Sequence, residues 1–340
     1  HSAGDRLLEE VAARLLQCVR KYDIVARLGG DEFVILMLGI QEDTHIISIA
    51  EKVVSIFSQP FQIMDHEMFI TVSIGIAVAP QNGETSETLL MNADTAMYHV
   101  KGSGKNGYEF FKEEMNVRIS ERLERETKLR RALERNEFCL HYQPKIDLAT
   151  GSIVGMEALI RWVPEKDLII PPLEFIPLLE ETGLIVPVGE WVIREACRQN
   201  QQWHLAGFDN LVVSTNMSAR QFYHVNLPEV IAQILRKTPL DPKYLKIELT
   251  ESIVMQDIDA AVGILKRLKE MGLSLSIDDF GTGYSSLAYL KRFPVDELKI
   301  DRSFVNGLGT DENDSTIVNT IISMAHSMRL TVVAEGVETA

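Results

Sequence analysis

The apolar positions of this chain change their rhythm on either side of a long charged stretch. From Lys112 to Arg135 the sequence is rich in Glu and Arg and holds no Pro or Gly. Met115, Ile119 and Leu123, then Leu129 and Leu133, recur at spacing four, which predicts a connecting helix with a narrow apolar stripe among solvated charges. Ahead of it, a helical run from Leu7 to Val19 precedes two strand-like runs, Ile24 to Leu28 and Phe33 to Leu38. Gly29-Gly30-Asp31-Glu32 lies between them and reads as a hairpin turn of glycine and acid. A helix over Thr44 to Phe57, a second hairpin region over Phe61 to Val78, a helix over Glu87 to Val100 and a short strand over Tyr108 to Phe111 complete an α+β unit.

Beyond the charged helix, strand-like runs near Val154–Leu159, Leu211–Asn216, Leu245–Leu249, Leu273–Ile277, Glu297–Ile300 and Thr331–Ala334 alternate with helical patterns. This predicts a parallel α/β barrel, although a doubly wound open sheet gives the same alternation. Glu157, Asn216, Glu248, the pair Asp278-Asp279, Lys299 and Glu335 sit at the carboxyl ends of these runs, and in a barrel such positions converge on one mouth. A single acid at a strand end is ordinarily a helix cap or a turn residue, but six such positions in succession argue for a site. Carboxylates gathered there repel one another unless cations neutralise them, so one or two Mg²⁺ or Mn²⁺ ions are the natural occupants. Two ions would activate water for phosphodiester hydrolysis, with Lys299 suited to a phosphate oxygen or to the attacking water.

At 340 residues and 46% hydrophobic composition the chain can bury one large core and has the length for two domains. Lys and Arg number 34 against 49 Asp and Glu, a formal charge of −15, which argues against nucleic acid as a partner but not against a nucleotide held through cations. Cys18, Cys139 and Cys197 have no paired short spacing, so neither a disulfide framework nor a thiolate zinc site is expected and a reducing cytoplasm fits best. The histidines lack metal-ligand spacing. No run of apolar residues is long enough to span a membrane. The sequence opens on His1 and stops just after a strand-like run, so it is expected to be a piece cut at both ends, the cytoplasmic part of a parent that can be membrane-anchored.

The second half resembles the EAL-domain phosphodiesterases, which hydrolyse the bacterial messenger cyclic di-GMP. The resemblance spans roughly Leu123 to Ala340. It rests on Tyr142-Gln143-Pro144, Glu157-Ala158-Leu159-Ile160-Arg161, Asn216-Met217-Ser218, Glu248-Leu249-Thr250-Glu251-Ser252, Asp278-Asp279-Phe280-Gly281-Thr282-Gly283, Lys299-Ile300-Asp301 and Glu335-Gly336-Val337-Glu338. It implies a TIM-like barrel and two-metal hydrolysis of cyclic di-GMP to linear pGpG. Glu157, Asn216, Glu248, Asp278, Asp279 and Glu335 would be the metal-site residues. By the same resemblance Lys299 would assist the water, Arg161 would contact a phosphate, Gln143 would line the substrate site, and Glu251 would anchor the Asp279–Ser286 loop that couples dimerisation to metal binding. The family pattern continues past Glu338 with a further helix and strand, so the last barrel unit is expected to be missing.

Gly29-Gly30-Asp31-Glu32-Phe33 resembles the signature of GGDEF domains, palm-like nucleotidyl cyclases that condense two GTP molecules into cyclic di-GMP. Gly4-Asp5, Ser73-Ile74-Gly75 and the run from Ala93-Asp94 through Met97-Tyr98 to Lys101, Lys105 and Asn106 accompany it. Glycines let the backbone approach phosphates, and adjacent acids can hold Mg²⁺ against them. The resemblance implies that Gly29 and Gly30 meet substrate, Asp5 binds guanine, Asp31 and Glu32 serve Mg²⁺ binding and hydroxyl activation, and Lys101 and Lys105 meet phosphates. Arg20 and Asp23 would form the inhibitory product site. Gly102 to Lys105 is not a P-loop, since no Ser or Thr follows Lys105. The expected organisation is a GGDEF domain over 1–112 and the connecting helix with an EAL domain over 113–340. The first domain would act as cyclase or GTP-sensing regulator, and the protein as a homodimer. The competing reading is a silent cyclic di-GMP and GTP receptor, which the intact set of acids disfavours.

Overall fold

The computed structural model describes residues 2–40, 42–64, 66–102, 106–282, 287–308 and 312–337, and its contacts divide the chain into His1–Arg125 and Glu126–Ala340. The first unit runs α1 (Ser2–Cys18), β1 (Ile24–Gly29), β2 (Glu32–Leu36), α2 (Asp43–Phe57), β3 (Phe61–Ile63), β4 (His66–Met68), β5 (Ser73–Ile76), α3 (Ser86–Gly102) and β6 (Gly107–Phe110). β1 and β2 form the expected antiparallel hairpin, which turns through Gly30 at φ +52°, a conformation glycine adopts without steric cost. The second hairpin region divides. β3 pairs with β4, whereas β5 pairs in parallel with β6 across α3. Gly75 on β5 makes that crossover possible, because a Cβ there would stand 1.9 Å from the Ala93 carbonyl oxygen of α3. The core of this unit sets Val11, Leu15 and Cys18 against Val53, Phe57, Phe61 and Ile63. Arg14 closes the end of α2 by donating to the carbonyls of Ile56, Gln59 and Pro60 while lying 3.6 Å from the Phe61 ring centroid.

The charged helix is α4 (Glu113–Ala132). Its Met115 is buried with Ala96 and Phe111, and its Leu129 and Ala132 belong to the core of the second unit. Leu123 departs from the expected apolar stripe, being 60% exposed.

The second unit starts with β7 (Phe138–Ile146), β8 (Ile153–Glu165) and β9 (Leu168–Ile170), then α5 (Pro172–Thr182), α6 (Ile185–Leu205) and β10 (Val212–Asn216). It continues through α7 (Ala219–Phe222), α8 (Leu227–Lys237), β11 (Leu245–Thr250), α9 (Glu251–Gln256), α10 (Ile258–Glu270) and β12 (Ser274–Phe280). α11 (Leu287–Leu290), β13 (Glu297–Ile300), α12 (Arg302–Asn306), α13 (Glu312–Ser327) and β14 (Thr331–Ala334) complete it. The strands lie in the order β7-β8-β10-β11-β12-β13-β14, with β9 beside β8. From β8 to β14 they are parallel along this path, as the strand-then-helix rhythm requires, while β7 runs antiparallel at the edge. That position explains why β7 is poorly marked in the sequence: Pro144 interrupts it, which an edge strand tolerates.

Side chains alternate across this sheet up to an irregularity near the end of β12. Val213, Ile247, Leu249, Leu275, Ile277, Leu298 and Ile300 pack outward into the large core shared with the helices. Their neighbours Ser214, Asn216, Lys246, Glu248, Ser276, Asp278, Glu297 and Lys299 occupy the other face. Four ladder spacings separate β8 from β13, about 19 Å in a flat sheet. Lys299 Nζ of β13 nevertheless reaches Glu157 Oε2 of β8 at 3.2 Å, so the sheet is curled into a partial TIM-like barrel with the polar face inside.

Candidate active site

Strand ends bring the expected residues together around one ammonium group. Lys299, 1% exposed, lies 2.7 Å from Glu248 Oε2, 2.9 Å from Asp278 Oδ2, 3.2 Å from Glu157 Oε2 and 2.5 Å from Glu335 Oε1. Asn216 joins the ring by donating from Nδ2 to Glu157 Oε1 at 2.7 Å. Burial disfavours a charged Lys299, but Glu248, Asp278, Glu157 and Glu335 outweigh it and hold its pKa above the ordinary lysine value. Burial likewise disfavours the Glu248 carboxylate, yet Lys299 and Lys145 hold it below the usual range.

Consecutive residues of a strand point to opposite faces, so Asp278 and Asp279 can serve one site only where the strand is irregular. The pairing of β12 with β13 shifts register between Ile277 and Phe280, and Asp279 sits at φ +54°, in the left-handed region. An aspartate tolerates that region better than most residues, and strain of this kind is held in place by surrounding contacts. The Asp279 N–H donates to Asp278 Oδ1 at 2.9 Å. As a result Asp278, Asp279 and Glu335 each offer an oxygen within 4.8 Å of the others. Burial, Asp278 and Asp301 raise the Asp279 pKa, and burial raises that of Glu335 although Lys299 opposes it.

This donor set fits hard divalent cations, for every candidate ligand is a carboxylate or amide oxygen. Among the described residues the cations paired with the group Glu157, Glu248, Asp278, Asp279 and Glu335 are Lys299 and Lys145, a formal excess of three negative charges that a pair of such ions can neutralise.

Around this centre, Glu251 is buried and accepts from the Gly281 N–H through Oε2 at 3.0 Å, at the start of the loop that follows Asp279. Gln143 is exposed on β7 and faces Glu157 across the ladder. Arg161 lies four residues beyond Glu157 on the same face of β8, its guanidinium donating to the Ile160 carbonyl at 2.8 Å.

In the first unit Asp31 and Glu32 are exposed beside Gly29 and Gly30, and Arg27 steadies that turn by donating twice to the Gly30 carbonyl. Asp5 is exposed on α1 and Lys101 on the last turn of α3, while Lys105 lies outside the described residues. Asp31 and Glu32 are not gathered with a third acid among the described residues. Arg20 and Asp23 meet through the backbone: Asp23 Oδ2 accepts from the Arg20 N–H at 2.8 Å, and the guanidinium donates to Tyr22 Oη.

Three site residues escape a reading confined to strand ends. Lys145 of β7 lies 2.5 Å from Glu248 Oε1 and 3.5 Å from Glu297 Oε1, and Lys246 pairs with Glu297 Oε2. The signal was available in the alternation, because Lys246 stands two residues before Glu248 and Glu297 two before Lys299, on the same faces.

The sequence matches the family description "EAL domain" over residues 126–340 and "Diguanylate cyclase, GGDEF domain" over residues 1–107. It is 49% identical over 339 residues to the bifunctional diguanylate cyclase/cyclic di-GMP phosphodiesterase MucR of Pseudomonas aeruginosa, covering 100% of this chain and 49% of that protein. It is 38% identical over 340 residues to the cyclic di-GMP phosphodiesterase PdeR of Escherichia coli, covering 100% of this chain and 51% of that protein. The chain thus spans about half the length of the curated relatives it matches. Among solved structures, a PaMucR phosphodiesterase in complex with c-di-GMP superposes with a TM-score of 0.62 at 48% identity, covering 64% of this chain and 87% of that one.

Proposed function

The chain belongs to the family of proteins that carry a GGDEF domain ahead of an EAL domain, and from that premise we propose that its barrel hydrolyses cyclic di-GMP to linear pGpG. The observation that carries the reading is the ring of Glu157, Glu248, Asp278 and Glu335 closed on Lys299, with Asn216 and Asp279 alongside. Glu157, Asn216, Glu248, Asp278, Asp279 and Glu335 would hold Mg²⁺ or Mn²⁺. Two such ions, when bound, supply an activated water and neutralise the leaving oxygen.

The protein's own contribution is charge and position. Lys299 is kept protonated and is available to a phosphate oxygen or to the attacking water once its carboxylates have another counter-charge. Arg161, now on a backbone carbonyl, has the fork to grip a second phosphate oxygen. Gln143 borders the mouth beside Glu157, and Glu251 steadies Gly281 so that Asp279 keeps its turn. The first unit would take GTP and Mg²⁺ at the Gly29–Glu32 hairpin, as cyclase or as sensor, and the protein would work in the cytoplasm as a homodimer. No helix among the described residues is long and apolar enough to cross a membrane.

Incubation of the full-length protein with cyclic di-GMP and Mg²⁺ or Mn²⁺, followed by chromatography, should yield pGpG. Chelator or Glu157→Ala should abolish the product. Tight binding of cyclic di-GMP without turnover would make the protein a receptor and overturn the reading, and added GTP that changes the rate would assign the first unit a sensing role.

A further inference from the structure

Beneath the mouth, the barrel interior is filled by charge rather than by the branched apolar layers that usually fill parallel barrels. Lys145, Lys246, Glu248, Glu297 and Lys299 form an alternating chain: Lys246 to Glu297, Glu297 to Lys145, Lys145 to Glu248, Glu248 to Lys299. Small residues on the flanking strands, Ser214 of β10 and Ser276 of β12, share this face, and among the described residues their buried hydroxyls find no partner.

Glu248 is the link between this chain and the mouth. It is 0% exposed and both of its oxygens are committed, Oε1 to Lys145 and Oε2 to Lys299. The two lysines differ in what else they hold. Lys299 is shared with Glu157, Asp278 and Glu335 at the mouth, whereas among the described residues Lys145 is shared with Glu297 below. When Lys299 turns toward a phosphate, Lys145 still holds Oε1 of this buried carboxylate, so Glu248 stays aimed while its Oε2 is released to the mouth.

We propose that Lys145 is a positioning residue for the hydrolysis: it fixes Glu248 as an oriented carboxylate independently of Lys299, so that the mouth keeps its cation affinity while Lys299 works on substrate. Glu297, itself paired with Lys246, faces Lys145 from below at 3.5 Å. This inference rests on the phosphodiesterase reading and adds to it a residue outside the strand-end set.

The test uses the full-length protein and Mn²⁺ alone as probe, with affinity read by electron paramagnetic resonance beside kinetics and thermal midpoint. Lys145→Met should weaken Mn²⁺ binding by about tenfold or more, the scale set by partners that orient metal ligands. It should lower kcat with little change in KM for cyclic di-GMP, and Lys145→Arg should restore part of both. Lys145→Met with Glu297→Gln removes Lys145 together with the carboxylate below it, and Mn²⁺ binding should stay as weak as in the single variant. Recovery of Mn²⁺ affinity in that double variant would reduce Lys145 to a counter-charge for Glu297 and overturn the proposal. Unaltered affinity in Lys145→Met would do the same. A wild-type protein that binds no Mn²⁺ and makes no pGpG would instead overturn the phosphodiesterase reading, and this inference with it.

Discussion

Lys299 is charged because of its neighbours, and its neighbours are tolerable because of Lys299. Its pKa is raised, so its stabilising contribution is complete below the ordinary lysine value and would be lost only as pH climbed through the higher folded value, far into alkali. Glu248 is depressed, so its contribution is complete above the usual carboxylate range and is lost as pH falls through the lowered value. Asp279 and Glu335 are raised and behave oppositely: the folded state takes up their protons first, so acidification through their raised values relieves chiefly the cost of burying their charge. Lys299→Met in metal-free protein should therefore cost about 3–5 kcal/mol near neutral pH, the scale for stranding a buried charge. The deficit should shrink by pH ~5 in urea titrations, as carboxylates freed of their cation protonate. A deficit equal at both pH values would mean that lost packing, not stranded charge, sets the cost. At this scale the sequence was eloquent. Glu157, Asn216, Glu248, Asp278, Lys299 and Glu335 meet as their strand-end positions foretold, but the partner of each was not readable, since Lys299 touching Glu157 depends on the curl of four intervening ladders.

At the level of elements, the parallel strands from β8 to β14 were legible because each is an apolar run closed by a polar residue. β7 was not, since an antiparallel edge strand with Pro144 carries a weak pattern, and with it Lys145 was lost from view. The irregularity in β12 was equally hidden: adjacent acids read as alternating faces until the register shift and the left-handed Asp279 turn them to one side. What supports that turn is the short link from α9, whose first residue Glu251 holds Gly281. Glu251→Gln keeps the shape but exchanges a charge-assisted hydrogen bond for a neutral one. It is expected to weaken Mn²⁺ binding by about tenfold while the unfolding free energy falls by only about 1 kcal/mol. Calorimetric titration and denaturant unfolding of the same variant check the two halves of that statement, and a large stability loss with normal affinity would make Glu251 a core residue only.

For the whole molecule, two contact units with separate cores mean that a probe of one need not report the other. All three tryptophans, Trp162, Trp191 and Trp203, belong to the second unit, so indole fluorescence follows the barrel alone. Saturating Mn²⁺ at a hundredfold excess over its dissociation constant should stabilise that unit by about 2.7 kcal/mol. The fluorescence-detected midpoint should rise accordingly, and EDTA should reverse the rise. A midpoint indifferent to both would remove the cations from the barrel. The exposure of Leu123 was not legible in the sequence, because spacing four alone does not say which apolar positions of a helix are buried.

The alternation across the barrel strands has a consequence for how such a protein can change. Hydrophobic burial lies on the outward register, at Val213, Ile247, Leu275 and Leu298, while chemistry lies on the inward one, at Ser214, Lys246, Ser276 and Glu297. A variant library restricted to the inward register would explore new lumen chemistry with the helical shell intact. One restricted to the outward register would tune durability with the same catalytic lining. Descent with modification can move along either register without first abandoning the other.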